Sequence, residues 1–258
     1  MIGGDLSSEA LAELMPGRPT RSYPALLSTG ADALAWARTG GPEGALVVAD
    51  YQASARGRAG TEWTVRRGVS VCFSLILRPD LPVEREGWLY TVVVSGLADA
   101  LGPEATIEWP DGVVRADVRL GAVGVHAELG PDGVDWAVAN VLVPDVPPPR
   151  GPTLARIVRA IELRYRSPDD LVLDEYLPRC ATIGRQVRAR LIPVGPAGVV
   201  VSGTATGAKL DGALSIETGS GFLVAVRPQH LGVIEDMRSG SDELDGFTDY
   251  REMFPSDG

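Results

Sequence analysis

Two arginines flank a glycine in the segment Gln52-Ala-Ser-Ala-Arg56-Gly57-Arg58-Ala-Gly60-Thr-Glu-Trp63. Gly57 and Gly60 let the backbone approach a ligand and present its N–H groups, while Arg56 and Arg58 supply fixed positive charge. That combination suits a phosphate or acyl-phosphate anion. The same residues also describe a solvated, flexible basic loop. Of the 24 basic residues in the chain only Lys209 is a lysine. A phosphate-binding lysine of the P-loop type is therefore absent, as is a Schiff-base lysine anywhere before position 209. Cys72, Cys180, His126 and His230 are too scattered for a four-cysteine site or a mixed cysteine–histidine zinc finger. Cys72 lies in an apolar run and reads as a packing residue without an activating base. His126, on an alternating stretch, faces a pocket or serves structure. Ser28 lacks a Gly-x-Ser-x-Gly context, and Asp242, Glu243 and Asp245 lack the order of a calcium loop. No metal site is expected.

The elements that must position these residues belong to a chain of 258 residues with net charge −10, 45% apolar and 22% charged. Such a composition is globular, and the negative charge argues against sequence-independent nucleic-acid binding. The first residues have neither a basic nor an apolar leader region, and the apolar runs are too short to span a membrane. A cytoplasmic protein with reduced thiols is expected.

Residues 1–25 form an N-terminal extension with one short helix at Ser8–Leu14, too small for a helix-turn-helix domain. Thr29–Arg38 is a helix capped by Ser28 or Thr29, Ala45–Ala49 a buried strand, and Gln52–Trp63 a loop without period. Val69–Leu77 is a long strand, Trp88–Leu101 a helix covering a sheet. Ala105–Trp109, Gly112–Val118, Ala122–Leu129 and Val134–Val143 follow as closely spaced strands. After a proline-rich connection, Thr153–Tyr165 is amphipathic, and Ser167-Pro168 caps a further helix through Tyr176. Beyond Ile183 short alternating strands at Val187–Ile192, Val199–Thr206, Ala213–Glu217 and Phe222–Val226, with turns at Gly195, Asp211-Gly212 and Gly219–Gly221, describe a small barrel of SH3-like size. The acidic tail, residues 236–258, is expected to be mobile or peripheral.

The arginine segment resembles the Gly-Arg-Gly-Arg-x-Gly-x-x-Trp loop of biotin protein ligases, with Ala55 where the first glycine is usual. The resemblance continues in chain order. Ser28-Thr29-Gly30 stands at their Ser-Thr-Asn, Gln52 keeps its interval before the arginines, and Phe73–Pro79 is similar to a strand ending in Leu-Arg-Pro. Glu108-Trp109-Pro110-Asp111-Gly112 stands at Lys-Trp-Pro-Asn-Asp. Gly124–Glu128 looks like Gly-Ile-Leu-x-Glu, and Val138-Ala139-Asn140-Val141 looks like Gly-x-Asn-Val. Thr182–Val187, Gly203-x-Ala205-x-Gly207 and Asp211-Gly212-x-Leu214 are similar to the family's small C-terminal barrel.

The resemblance implies an α+β fold: a mixed β-sheet with helices packed on it over residues 26–180, then an SH3-like barrel over 181–235. It implies activation of a small carboxylic acid with ATP as an acyl-adenylate, and transfer to a lysine of a carrier protein. Implied ligands are ATP with Mg²⁺ and biotin or a related carboxylic acid. Implied partners are a biotinyl- or lipoyl-type carrier domain or another protein, and a homodimer is left open. By motif position, Ser28, Thr29, Gln52, Arg56, Gly57 and Gly124 would bind the acid. Arg58, Trp63, Asp111 and Asn140 would bind nucleotide, and Arg58 and Arg119 would be catalytic. Two family lysines have no counterpart: Glu108 stands at one position, and Gly121, counted back from Gly124, at the other. A local slip of the strand would return Arg119 to the site. With those lysines gone, the alternative is a ligase-fold protein that binds an acid, an acylated carrier or a protein partner without catalysis.

Overall fold

A computed structural model describes residues 4–194 and 198–237 of the chain. The turn expected at Gly195 and the acidic tail beyond Met237 lie outside the described residues. The helices are α1 (Ser8–Leu14), α2 (Thr29–Arg38), α3 (Trp88–Leu101), α4 (Gly151–Arg166) and α5 (Asp169–Tyr176). Nine strands precede the C-terminal unit: β1 (Thr20–Tyr23), β2 (Leu46–Ala49), β3 (Ala55–Arg56), β4 (Glu62–Trp63), β5 (Val71–Leu77), β6 (Thr106–Glu108), β7 (Gly112–Arg115), β8 (Val118–Leu129) and β9 (Val134–Val143). Five follow: β10 (Gln186–Leu191), β11 (Val200–Ala208), β12 (Leu214–Thr218), β13 (Leu223–Val226) and β14 (Leu231–Asp236).

Seven strands form one sheet in the order β1-β2-β5-β9-β8-β7-β6. Only the β1–β2 pair is parallel, so the sheet is mixed. Alternation along the central strand β5 assigns its two faces. Phe73, Leu75 and Leu77 point into the main core with Leu89, Val93 and Leu97 of α3 and Leu154, Ile157 and Ile161 of α4. Cys72, Ser74 and Ile76 point the other way, where Ala33 and Ala37 of α2 and Trp63 of the arginine segment pack. That second face carries the candidate site. Gly96 marks where α3 and α4 cross: a Cβ there would lie 2.5 Å from the Ile161 Cα.

The C-terminal strands form a five-stranded antiparallel sheet in the order β13-β12-β11-β10-β14, with Val187, Ala189, Ala205, Leu214, Ile216 and Leu231 inside. It is docked by the Trp-Pro turn. Trp109 N–H donates to Thr182 Oγ1 at 2.9 Å, and its indole Nε1 donates to the Gly212 carbonyl at 2.9 Å. Among the described residues no helix is long and apolar enough to cross a membrane.

Several sequence expectations are corrected. Gln52–Trp63 is not wholly irregular, since β3 and β4 pair as a miniature hairpin. Gly112–Val118 is broken by a tight turn at Ala116-Asp117, both with positive φ (48° and 63°). That conformation favours glycine or asparagine, so the sequence carried no turn signal there. Ser167 does not cap α5: its hydroxyl donates back to the Leu163 carbonyl, and Pro168 stands at the cap without a side-chain bond. The N-terminal stretch contributes α1 against the core and β1 to the sheet edge. Asp236, read as the start of the tail, ends β14.

Candidate functional site

The site begins at the start of α2. Ser28 is the N-cap, and its Oγ accepts from Ala31 N at 3.3 Å. Thr29 donates its N–H (2.8 Å) and its hydroxyl (3.1 Å) to Gln52 Oε1, and Gln52 Nε2 donates to the Cys72 carbonyl at 3.3 Å. Ser74 Oγ lies 2.8 Å from Thr29 Oγ1 and 2.7 Å from Asn140 Oδ1. These buried bonds tie the helix start to β5 and β9 and fix the floor of a cleft. Its lining includes Ser28, Thr29, Gly30, Gln52, Arg56, Trp63, Cys72 and Asn140, and these residues leave no room in it for a water molecule, so the cleft is closed down.

The arginine hairpin closes it. Gly57 lies under the Trp63 indole so tightly that a Cβ there would be 2.5 Å from the ring, and a Cβ on Gly124 would lie 3.1 Å from the Gly57 carbonyl carbon. The stack Gly124–Gly57–Trp63 thus lays the loop flat on β8. Arg58 holds it down. Its side chain is only 5% exposed and its Nε donates to Asp111 Oδ2 at 3.1 Å. Nη1 donates to the carbonyls of Leu231 and, at 3.3 Å, Gly232, both on β14 of the barrel. One guanidinium therefore joins the loop, the Trp-Pro turn and the C-terminal unit.

Arg119 arrives by a different route. Val113 pairs with Gly121, but Val114 pairs with Arg119, so Leu120 is an extra residue, a β-bulge. Gly121 faces the helix layer, where a Cβ would lie 3.0 Å from Leu97 Cδ2. The bulge carries Arg119 to the opposite face: its Nη1 lies 2.9 Å from an ideal Cβ on Gly112, whose cross-strand partner Ala122 packs with Trp63 and Cys72. There Arg119, 10% exposed, pairs with Glu108 Oε2 at 3.2 Å. Arg56 pairs with Glu62 at 2.8 Å and is half exposed at the cleft mouth.

The predicted residues thus fall into two neighbouring groups. Ser28, Thr29, Gln52, Arg56, Trp63 and Asn140 line the cleft, so Asn140, assigned by motif to nucleotide, sits among the residues assigned to the acid. Arg58 with Asp111 and Arg119 with Glu108 lie beyond the Gly57–Gly124 contact. Sequence reasoning did not single out Ser74, the hydrogen-bond hub of the floor, or the Leu231 and Gly232 carbonyls, which no side-chain signal announces.

Comparisons with known proteins lead to biotin ligases. The biotin–[acetyl-CoA-carboxylase] ligase of Mycobacterium tuberculosis is 28% identical over 223 residues, 76% of this chain and 82% of that protein. The bifunctional ligase/repressor BirA of Bacillus subtilis is 37% identical over 108 residues, 40% of this chain and 33% of that protein. The biotin protein ligase of Aquifex aeolicus, solved in complex with biotin and ATP, superposes with a TM-score of 0.63 at 17% identity, covering 84% of this chain and 98% of that one. No family model matches the chain. In sequence and in fold, the likeness is to biotin protein ligases.

In and beside this cleft, burial has displaced two weak acids. The Cys72 thiol is pushed up to about 12 by desolvation, only partly offset by its hydrogen bond with Gln52. The thiol is neutral and unfit as a nucleophile. Burial also pushes the Tyr90 phenol up to about 12; it donates to the Val125 carbonyl at 3.1 Å, close to Arg58 and Asp111. No cluster of three or more potential metal-ligating side chains occurs among the described residues.

Proposed function

We propose that the protein activates a small carboxylic acid with ATP and passes the acyl group to a lysine of a biotinyl- or lipoyl-type carrier domain in the cytoplasm. The likeness to biotin ligases supports ligase-like chemistry, and the Aquifex protein's complex with biotin and ATP supports the choice of substrates. The observation that carries the proposal is the β-bulge that brings Arg119 to the same face as Arg56 and Arg58, so cations stand at the site of a chain without lysine there.

A carboxylate oxygen attacks the α-phosphorus, the bond to the β-phosphate oxygen breaks, and pyrophosphate leaves. The amine nitrogen of a deprotonated carrier lysine then attacks the acyl carbon. AMP departs with the electron pair of the broken C–O bond, and the nitrogen loses a proton to solvent. Both steps gather negative charge on the α-phosphate, which preorganised guanidinium groups stabilise. Arg58 and Arg119 take that role after exchanging Asp111 and Glu108 for phosphate oxygens. Gly57 and Trp63, folded on Gly124, exclude water that would hydrolyse the adenylate.

A second reading rests on one observation: Arg56, Arg58 and Arg119 each already face a carboxylate. A protein that binds an acid, an acylated carrier or another partner without adenylation fits that neutralised face. Pyrophosphate release with ATP, a panel of acids and a biotinyl-type carrier domain separates the two. Release that falls roughly 10²–10³-fold on Arg119→Ala supports ligation. Acid binding by calorimetry with no release refutes ligation and leaves the second reading.

A further inference from the structure

The arginine loop belongs to an excursion between two adjacent strands. β2 and β5 pair antiparallel, with Val48 opposite Phe73, and the chain leaves this pair at Asp50 and returns at Ser70. Arg150, at the start of α4, closes the neck of that excursion. Its side chain is only 5% exposed; Nη2 lies 2.7 Å from Asp50 Oδ1, and Nη1 donates to the Ser70 carbonyl at 3.1 Å. One planar fork thus holds both sides of the neck. The third partner comes from the N-terminal segment: Asp5 Oδ1 accepts from Nη2 at 2.8 Å, and Asp5 also accepts from the Arg150 backbone N–H. That segment is fixed by packing as well as charge. Leu6 and Leu11 are buried in the main core, and a Cβ on Gly151 would lie 2.6 Å from the Asp5 carbonyl oxygen. Beside the neck, two residues beyond Asp50 and Ser70, stand Gln52 and Cys72, joined by the bond from Gln52 Nε2 to the Cys72 carbonyl. Leu26 N–H donates to the Tyr51 carbonyl and Ala53 N–H to the Leu26 carbonyl, both at 3.0 Å, which registers Gln52 against the start of α2.

We propose that Arg150 is a positioning residue for the acid-binding end of the site, and that Asp5 of the N-terminal segment works with it. The loop has two separate anchors: Arg58 bolts its tip to Asp111 and β14, and Arg150 bolts its neck. A nucleotide that draws Arg58 away from Asp111 frees the tip and leaves the neck closed. Gln52 and its partner Thr29 therefore keep their places on the acid while the tip opens and shuts. An arginine suits this post because it stays charged when buried and its fork reaches three segments at once, which a compact ammonium does not. The N-terminal segment is then a working part of the site.

The inference rests on the cleft being the acid site of the proposed ligase, so one arm of its test needs no ligand. Calorimetry with biotin and, separately, with ATP is run on the full chain, Arg150→Lys, Asp5→Asn and Asp5→Glu. Limited trypsin cleavage, read by mass at Arg66 and Arg67 beside the neck, accompanies it. Arg150→Lys is expected to weaken biotin roughly tenfold, the size of one charge-assisted hydrogen bond, while ATP affinity changes less than about twofold. Asp5→Asn weakens biotin roughly threefold, and Asp5→Glu, which keeps the carboxylate, restores most of it. Arg150→Lys and Asp5→Asn are both cut faster at Arg66 and Arg67. Equal losses of biotin and ATP affinity would mark a general loosening of the fold and overturn the inference. Parent-like biotin binding in both Arg150→Lys and Asp5→Asn overturns it too. If Arg150→Lys does not fold, the two Asp5 variants decide. If the parent binds neither ligand, the ligation proposal fails by itself, and unchanged cleavage at the neck in Asp5→Asn then overturns the role of Asp5 and Arg150 as well.

Discussion

Removing the Arg58 guanidinium should loosen the barrel and open the loop in a single step. The side chain is 5% exposed and its Asp111 partner 13% exposed, and the other acceptors are the carbonyls of Leu231 and Gly232. Breaking a buried ion pair by deleting one partner costs about 3–5 kcal/mol. Asp111 and the Gly232 carbonyl are only part-buried and can take up water once the guanidinium is gone, although the Leu231 carbonyl is buried; the balance favours the low end, about 3 kcal/mol. In a chain of this size, 1 kcal/mol shifts Tm by roughly 2–4 °C, so Arg58→Ala should lower it by about 6–12 °C. Arg58→Lys keeps the charge, but a compact ammonium cannot span Asp111 and β14 as the fork does; about half of the loss should remain. Asp111→Asn leaves the carbonyl bonds in place and should cost less than either. Thermal unfolding monitored by circular dichroism gives the ordering, and limited trypsin cleavage after Arg56 reports the loop. A Tm for Arg58→Ala within about 1 °C of the parent, with unchanged cleavage, would refute the role of Arg58 as a clamp.

Glu108→Gln removes the carboxylate facing Arg119 at 3.2 Å and should raise the affinity for ATP or pyrophosphate roughly tenfold at low salt; unchanged affinity by calorimetry would show that Glu108 does not compete for the site. Gly57→Ala forces a methyl to 2.5 Å from the Trp63 ring. Overpacking of that kind costs about 1–3 kcal/mol and should expel Trp63 into water, seen as a red-shifted emission relative to a Trp63→Phe control. The raised Cys72 thiol makes a pH prediction. Its contribution to stability is intact below the ordinary thiol value of about 8.5. It is lost progressively as pH rises toward about 12, because the unfolded thiol ionises first. Chemical denaturation between pH 7 and pH 10 should show this slope in the parent and a shallower one in Cys72→Ala.

Local signals in the sequence were strong where a cap or a period was present. Ser28 before Thr29–Arg38 gave α2 its observed bounds, and Trp88–Leu101 is the helix expected despite its valine run, ended by Gly102 with φ 111°. The barrel strands fall within a residue or two of the alternating runs, but β14 was not named, because Leu231–Asp236 mixes glycine and acids into its alternation. β1 had no signal at all: Thr20–Tyr23 is short, half-buried and paired only at the edge of the sheet. The arginine loop was legible because its residues are contiguous. The pairs Arg58–Asp111 and Arg119–Glu108 were not, because the first depends on loop closure and the second on one extra residue at Leu120. A bulge reverses the facing of a side chain, and nothing in Arg-Leu-Gly announces it.

Charge balance links these features to function. A lysine can shed its proton when buried, whereas an arginine stays charged, so each guanidinium brought to this face needs a carboxylate or a ligand anion at all times. Glu62, Asp111 and Glu108 supply the first. An incoming phosphate must therefore displace groups already held on the same chain, which compete at high effective concentration. A single negative charge gains little from such an exchange, since one carboxylate replaces another. A polyanion that reaches two of the arginines together gains more, because the two displaced carboxylates return to water independently. The arrangement thus favours a nucleotide triphosphate or pyrophosphate over a lone acid at the Arg58–Arg119 end. Under the proposed ligation, the acid would then be recognised where the cleft is neutral, at Thr29 and Gln52.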